Sequence, residues 1–179
     1  MTSDQQATLI KGYIPGTIGR IIELHGKYYA KHWGFGLFFE AKVATELSTF
    51  LKAYDSCRDG IWVVTRNDRV EGGVVIDGSH SFDQGAHLRW FILSDNLRGT
   101  GWGRRLITTA VNFCIEKKYP RIYLWTFEGL HAARHLYESA GFRLVQQHQG
   151  AQWGTEVNEQ QFVCALPGAS HPTRLRDGS

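Results

Sequence analysis

The amino-acid sequence predicts one mixed α/β domain. Stripes of apolar residues at helical spacing alternate with short apolar runs of the kind that form strands. A glycine-rich segment also separates one of these strands from the helix that follows it. The hydrophobic fraction of 42% and the charged fraction of 21% are ordinary for a globular protein of 179 residues. We therefore expect a single domain over residues 1–166 and a disordered tail over residues 167–179.

The first third of the chain predicts a short strand and two helices. Residues 8–14 suit a strand, and Pro15 then stands where the first turn of a helix accepts proline. Apolar side chains at helical spacing continue to about Tyr29, and a second stripe of this kind covers roughly residues 37–54. This part of the chain is therefore expected to fold as strand, helix, helix.

The middle of the chain changes to the period of a sheet. Residues 61–64 and 70–76 form two apolar runs separated by a polar turn, a pattern typical of a hairpin. Residues 86–93 predict a further strand. Because side chains alternate along a strand, His87 and Arg89 are expected to share one of its faces.

The last third alternates helices and strands. Its predicted elements are, in chain order, a helix from the glycine-rich segment to about Lys118, a strand at 121–127, a helix at 130–140, and strands at 142–148 and 159–166. Pro120 cannot continue the first of these helices. Gly141 stands where a helix is often closed by a residue in the left-handed conformation.

Charge, cysteine content and hydropathy exclude several classes of protein. The net charge of +3 is too small to favour nucleic acid as a partner. Cys57, Cys114 and Cys164 are widely spaced, so they indicate neither a disulfide framework nor a zinc ribbon. Cys114 is expected to be a core residue. No apolar run reaches the roughly 18 residues of a membrane helix, and the polar N-terminus lacks the core of a signal peptide. We expect a cytoplasmic protein that binds neither nucleic acid nor membrane.

The glycine-rich segment predicts an anion-binding loop. Residues 98–103 read Arg-Gly-Thr-Gly-Trp-Gly and lie between a predicted strand and a predicted helix. Free N–H groups at a helix start attract phosphate, and glycines let the backbone approach it closely. Arg104 follows Gly103 where a P-loop needs lysine, and it also occupies the position of the third glycine in a dinucleotide-binding motif. Both of those motifs are therefore excluded, while a plain turn stays an alternative.

A second motif gives the segment a specific resemblance. Residues 132–142 contain Ala-Ala, Leu-Tyr and Ala-Gly-Phe at the spacing of an A-x-x-L-Y-x-x-x-G-F helix. Together, the two motifs resemble the GNAT superfamily of acyl-CoA-dependent N-acetyltransferases over roughly residues 8–166. One departure is Leu130, where many members carry asparagine. The N-terminal half also resembles the acetyltransferase half of bacterial proteins in which a winged-helix regulator precedes this domain.

The resemblance implies a fold, a reaction and a co-substrate. The fold would be a mixed, mostly antiparallel sheet of six to seven strands, splayed at strands four and five, with about four helices on its faces. The reaction would move an acetyl group from acetyl-CoA to the primary amine of a small molecule in a ternary complex, without a metal. A protein or peptide acceptor, or a silent CoA-binding module, are the alternatives. The residues implied to bind the cofactor are Phe91, Ile92, Leu93, Arg98, Gly99, Thr100, Gly101, Trp102, Gly103 and Arg104.

The same resemblance implies roles in catalysis. Tyr137 matches the tyrosine that protonates the departing thiolate, although it would also pack its helix onto the sheet. His87 stands where several branches carry the base; Glu128 and water are the alternatives. The oxyanion is expected near the N–H of Leu93, where the strand would bulge. His131 and its partner four residues later lack the glutamate of a zinc-protease helix, so no metal is expected.

The acceptor is expected beside a cluster of aromatic residues. Residues 28–39 hold six aromatic side chains, including Trp33 and Phe35, which suit an apolar or cationic amine. Arg89 is a candidate for binding an acceptor carboxylate, and Glu128 for contacting the amine. A packed core loop and a salt bridge are the structural alternatives. A small-molecule amine is thus the expected partner, and a homodimer is left open.

Overall fold

In the computed structural model, residues 6–167 are described, and they form seven strands and four helices. The elements are β1 (Thr8–Lys11), α1 (Thr17–Trp33), α2 (Leu37–Lys52), β2 (Gly60–Arg66), β3 (Arg69–Asp77), β4 (Ala86–Leu93), α3 (Trp102–Glu116), β5 (Arg121–Phe127), α4 (His131–Ser139), β6 (Arg143–Gly150) and β7 (Val157–Ala165). Every predicted element is present in the predicted order. Apart from Pro167, the tail expected over 167–179 lies outside the described residues.

Glycines shift the boundaries of the first two elements from those predicted. The strand expected over 8–14 ends at Lys11, because Gly12 turns the chain with φ 100°. The first helix begins at Thr17 rather than at Pro15, since Gly16 has φ 91° and caps it. That helix continues beyond Tyr29 until Gly34, also left-handed, closes it.

The sheet is antiparallel except at one pair of strands. Its order is β1-β2-β3-β4-β5-β7-β6, and β4 and β5 are the parallel pair. These two strands pair only at Ala86 with Ile122 and at His87 with Tyr123, and then they separate. The predicted splay between strands four and five is therefore confirmed, and it opens a gap in the middle of the sheet.

A bulge in β4 lies at the edge of this gap. Pairing with β3 passes from Gly73 opposite Ile92 to Val75 opposite Arg89, so β4 carries an extra residue between them. Trp90 lies at this point and has φ 47°, a left-handed conformation that side chains other than glycine rarely adopt. The bulge was expected at Leu93; it lies three residues earlier because β3 and β4 are again in register at Leu93.

Apolar residues form one core on each face of the sheet. The alternation along β2 sends Trp62 and Val64 into the core under α3 and α4, and Ile61 and Val63 into the core under α1 and α2. Cys114 is fully buried in the first core, as expected, and burial raises the pKa of its thiol to about 12. The gap between the splayed strands β4 and β5 lies between the two cores, and the clefts of the site are found there.

Over the described residues, no helix is both long enough and apolar enough to cross a membrane.

Candidate active site

The first of two clefts at the gap follows the loop between β4 and α3, and we call it the glycine-loop cleft. Its volume is about 490 Å³, and α4 forms its other wall. Of the ten residues predicted to bind the cofactor, all except Thr100 and Trp102 line it. Leu130, the departure from the family motif, lines it as well.

The backbone of this loop presents the start of α3 to the cleft. Gly99 has φ 75° and Gly101 has φ 89°, and a Cβ atom at either position would meet no other atom within 4 Å. Gly101 caps α3 without any side-chain hydrogen bond to the first turn. The first N–H groups of a helix have no acceptor inside the helix, so they are free to bind an anion here. Open space beside exposed N–H groups fits the pyrophosphate of CoA.

Gly103 connects the two sequence motifs in space. A Cβ atom there would lie 2.8 Å from Cδ1 of Leu136 and 3.5 Å from Cδ1 of Leu93. The missing side chain thus lets α3 pack closely against α4 and against the end of β4. This contact fixes the distance between the loop and the helix that carries Tyr137.

The arginine of the loop motif secures the loop to the protein itself. Nη2 of Arg98 donates to the carbonyl oxygen of Leu93 at 2.8 Å, and Nη1 donates to Asp95 at 2.6 Å. Its guanidinium also lies 4.0 Å from the centre of the Tyr28 ring. Arg104, in contrast, is exposed at the cleft and has a side chain better placed for a phosphate.

Thr100 and Trp102 face away from the cleft for local reasons. Oγ1 of Thr100 donates to the carbonyl oxygen of Leu97 at 2.6 Å, which closes the turn. Trp102 packs on the core beneath α3, and the guanidinium of Arg105 covers its ring at 4.7 Å. The side chains of these two residues therefore stabilise the loop, and only their backbone N–H groups are left to bind the ligand.

The second cleft, which we call the aromatic cleft, has a volume of about 340 Å³. It lies between α1, α2, β4, β5 and the loop from β6 to β7. Three residues line both clefts: Tyr29, Phe91 and Tyr137. The two clefts therefore meet at these three side chains.

Tyr137 is the buried member of this junction. It is 6% exposed, and the edge of its ring faces Phe91 with the centroids 6.0 Å apart. Burial raises the pKa of its phenol far above the ordinary value, so the group stays protonated at neutral pH. A phenol that keeps its proton and borders both clefts is suited to donate it there.

Tyr29 was missed by the sequence reasoning. It is half-buried on α1, and desolvation raises its pKa while the nearby Arg98 opposes the change. The available signal was the aromatic segment at 28–39, but that pattern does not say which of its members reaches the gap.

His87, the predicted base, lines the aromatic cleft, where its surroundings disfavour a positive charge. The ring of His87 stacks on Tyr123 at a centroid distance of 4.3 Å. Desolvation and the charge of Arg89 lower its pKa to about 3, with Asp77 acting in the opposite direction. His87 is therefore neutral at pH 7 and a weak base.

Charged side chains form one side of the aromatic cleft. Nη2 of Arg89 donates to Glu46 at 2.5 Å, and Nη1 lies 3.6 Å from Asp77. The same guanidinium lies 4.0 Å from the centre of the Trp90 ring. Lys42 forms a further ion pair with Glu46. Arg89 therefore forms salt bridges, which was the structural alternative to binding an acceptor. Its side chain nevertheless borders the cleft.

Three of the predicted acceptor residues do not line the aromatic cleft. Phe35 is 3% exposed and packs against Tyr29 and Phe127. Trp33 packs edge-on against Phe127 at 4.8 Å. Glu128 is exposed on the surface, where its carboxylate accepts a hydrogen bond from Asn158. Besides the three residues shared with the glycine-loop cleft, the aromatic side chains that line the aromatic cleft are Phe39, Trp90, Trp125, Phe127 and Trp153.

A histidine that the sequence reasoning did not single out also lines the aromatic cleft. His25 is 6% exposed on α1, and its Nδ1 lies 2.8 Å from the carbonyl oxygen of Ile21. Desolvation lowers its pKa to about 4, which the hydrogen bond to Ile21 partly opposes. A lone histidine in a helical stripe gives no sequence signal beyond that of a core residue.

The histidine pair of α4 offers no metal site. His131 and His135 are exposed, and between residues 6 and 167 no group of three or more His, Cys, Asp or Glu side chains could hold a metal ion.

Comparisons with known proteins find two relatives of this chain whose names specify N-acetylation. The chain is 25% identical over 138 residues to human N-acetyltransferase 8B, covering 74% of this chain and 61% of that protein. It is 31% identical over 96 residues to N-acetylaspartate synthetase of Danio rerio, covering 54% of this chain and 33% of that protein. The chain therefore spans less than two thirds of these relatives.

The fold also matches solved structures. One from Salmonella typhimurium, described as an acetyltransferase with its cofactor acetyl-CoA, superposes with a TM-score of 0.69 at 16% identity, covering 95% of this chain and 99% of that one. Residues 20–142 match the model of the acetyltransferase (GNAT) family. The predicted family is thus confirmed, while the resemblance to the winged-helix fusions stays a prediction. This chain belongs to the GNAT family of acetyltransferases.

Proposed function

We propose that this protein transfers the acetyl group of acetyl-CoA to the primary amine of a small molecule, directly and within a ternary complex. The observation that carries the proposal is the meeting of two clefts at Tyr29, Phe91 and Tyr137. A cofactor held along the glycine loop and an amine held in the aromatic cleft would come together at these side chains. When bound, acetyl-CoA supplies an activated thioester.

The glycine loop is the part of the chain suited to hold the cofactor. The N–H groups at Gly101 and at the first turn of α3 would bind phosphate oxygens, and Arg104 would add a positive charge. Ile92 and Leu93, at the end of β4, provide an apolar wall beyond the bulge. These residues bind and orient, and none of them needs to form a covalent bond.

Tyr137 is our candidate for the proton donor. Its raised pKa keeps the phenol protonated at neutral pH, so the proton is present when the thiolate leaves. As the C–S bond breaks, the phenol would donate this proton to the sulfur, and the phenolate would then take up a proton from water. Phe91, which faces the ring, helps to keep water away from the phenol.

We assign removal of the proton from the substrate ammonium to water, with His87 as a neutral hydrogen-bond acceptor on the path. The low pKa of His87 makes it unable to keep a proton at neutral pH. Glu128 is a poor candidate because its exposed carboxylate does not line the aromatic cleft.

The two sides of the aromatic cleft favour an acceptor with an apolar body and a carboxylate. The volume of about 340 Å³ suits a small molecule. Aromatic rings would contact the apolar part, while Arg89 and Lys42 would attract the carboxylate. The name of the relative that is 31% identical, N-acetylaspartate synthetase, specifies an acetylated amino acid and supports the carboxylate, but not the apolar body, of such an acceptor.

The test is a thiol-release assay with paired acceptors. Phenylalanine is compared with phenethylamine and leucine with 3-methylbutylamine, and a short peptide with a free N-terminus represents a polypeptide acceptor. We expect turnover with the small amines and a higher kcat/KM for the amino acid of each pair. Arg89→Gln should remove that preference. Binding of acetyl-CoA without turnover of any amine would contradict the proposed activity, and a preference for the peptide would favour the polypeptide acceptor.

A further inference from the structure

The imidazole of His25 has a fixed tautomer. Its Nδ1 lies 2.8 Å from the carbonyl oxygen of Ile21, one turn earlier in α1. A carbonyl oxygen can only accept a hydrogen bond, so Nδ1 must be the donor and must carry the proton. Because the ring is neutral at pH 7, Nε2 is left with a free lone pair.

His25 lines the aromatic cleft, and Nε2 is the ring nitrogen that is left for a partner there. Among residues 6–167, Nε2 of His25 has no hydrogen-bond partner. If this atom were also shut off from solvent, it would be an enclosed atom without a partner. Oγ of Ser94 is the only side-chain nitrogen or oxygen of these residues that has both properties. Nε2 is therefore not sealed in the core. His25 lines the aromatic cleft, and its ring stacks on Tyr29 with the centroids 6.1 Å apart.

A purely structural role accounts for Nδ1 but not for Nε2. An apolar residue would fill the same space under α1 without bringing an acceptor that needs a partner. A ligand that fills the cleft shuts water away from Nε2, and without a donor of its own it would leave this acceptor unpaired at a cost of about 1–3 kcal/mol. A ligand that offers a hydrogen-bond donor would remove this cost. His25 is placed for such a ligand because Tyr29, its neighbour, borders both clefts.

We propose that Nε2 of His25 accepts a hydrogen bond from the amine of the acceptor and holds that amine beside Tyr29. This inference rests on the proposed function and adds a residue for binding the amine. His25 orients the nitrogen and does not remove its proton, since the ring is too weak a base for that at neutral pH.

Two substitutions separate the nitrogen atoms of His25. In His25→Asn the side-chain amide is short, so it can replace Nδ1 as a donor to Ile21 but leaves nothing at the position of Nε2. In His25→Gln the longer side chain can place an oxygen near that position. We expect kcat/KM for the amine to fall about tenfold or more in His25→Asn, the equivalent of one hydrogen bond, and to recover partly in His25→Gln. The affinity for acetyl-CoA should stay within about twofold in both.

The matched control is His80→Asn, which changes an exposed histidine that lines neither cleft. It should leave kcat/KM unchanged. An equal kcat/KM for His25→Asn and the wild-type protein would overturn the proposal, as would equal losses of amine turnover and acetyl-CoA affinity, which indicate general damage.

Nitrogen-15 NMR of the imidazoles keeps the inference open to test if the Asn variant does not fold or if no amine is acetylated. The His25 signals are assigned by their absence in His25→Gln. We expect the proton on Nδ1 and a bare Nε2 whose resonance shifts when phenethylamine is added. A proton on Nε2 would overturn the inference. Absence of turnover together with the expected tautomer and shift would contradict the proposed function alone.

Discussion

Gly16 and Gly101 cap two different helices with nearly the same backbone geometry. Their dihedral angles are φ 91° and ψ −14° at the start of α1, and φ 89° and ψ −10° at the start of α3. A Cβ atom at either glycine would meet no other atom within 4 Å, and neither helix has a side-chain cap. Only Gly101 borders the glycine-loop cleft.

This pair allows backbone strain to be separated from ligand binding. Alanine at either position should lower the free energy of unfolding by about 1–2 kcal/mol, because an L side chain strains the left-handed conformation. Gly101→Ala should also weaken acetyl-CoA binding by about tenfold or more, since the methyl group would occupy space needed by a phosphate. Urea denaturation and calorimetric titration measure the two effects. Equal affinities in Gly16→Ala and Gly101→Ala would show that the loop does not hold the cofactor.

Tyr137→Phe should lower kcat about 100-fold or more, the effect expected on losing a general acid. Acetyl-CoA binding should persist because the ring still packs against Phe91 and only the hydroxyl is lost. Pre-steady-state thiol release and equilibrium binding provide the measurements. Tyr13→Phe, on an exposed tyrosine, is the control and should leave both quantities unchanged. Retention of kcat in Tyr137→Phe would assign the protonation to water.

The shape of the pH–rate profile tests the role of His87. Its pKa of about 3 keeps it neutral throughout the range in which the protein can be assayed, so its titration should not produce a break near pH 6.5. We expect log kcat/KM to rise with pH as the free amine is formed, with the same shape in His87→Ala and the wild-type protein. A break near about pH 6–7 that disappears in His87→Ala would instead identify this histidine as the base.

The sequence predicted the fold well because its strongest signals are local. Helical spacing, strand alternation and the two motifs located all the elements, and β4 and β5 have the predicted bounds. The bulge at Trp90 was misplaced because it depends on how two strands pair, which a single strand does not reveal.

The site was predicted unevenly for a related reason. Loop residues that bind through the backbone follow the motif, so most of them line the cleft. The positions of side chains on and between α1 and α2 depend on how the helices pack. Phe35 and Phe39 are both buried, but this packing brings only Phe39 to the cleft. His25 was missed because its place in the apolar stripe of α1 is that of a core residue, and only the structure shows that it lines the aromatic cleft.

Glu159→Gln should weaken acceptor binding while leaving the cofactor affinity unchanged. The buried carboxylate of Glu159 accepts hydrogen bonds from the backbone N–H and the side-chain amide of Gln152, at 2.8 and 2.7 Å. These bonds hold the loop that brings Trp153 to the aromatic cleft. In Glu159→Gln the new side-chain NH2 group would face one of the two N–H donors of Gln152, so that donor would lose its acceptor. This loss costs about 1–3 kcal/mol and loosens the loop.

The expected result of Glu159→Gln is a several-fold rise in the KM of the amine with a small change in kcat. Steady-state kinetics at saturating acetyl-CoA measures both parameters. Glu156→Gln, on an exposed residue of the same loop, provides the control for the loss of a charge. The same rise in both variants would mean that charge, and not loop position, controls acceptor binding.

His25 should make the folded protein less stable in acid. Its pKa is lowered from 6.5 to about 4 by desolvation, so the unfolded chain takes up a proton at a pH where the folded chain does not. The free energy of unfolding must then fall as the pH drops through this window, by about 2 kcal/mol at about pH 5. His25→Gln removes this proton uptake, so its loss of stability between about pH 7.5 and 5 should be smaller than that of wild type by the same amount. Urea denaturation at the two pH values measures the difference, with His80→Gln as the control that keeps the wild-type slope. Parallel slopes in His25→Gln and the wild-type protein would mean that the imidazole takes up its proton at the same pH in the folded and unfolded chains, so that burial does not lower its pKa.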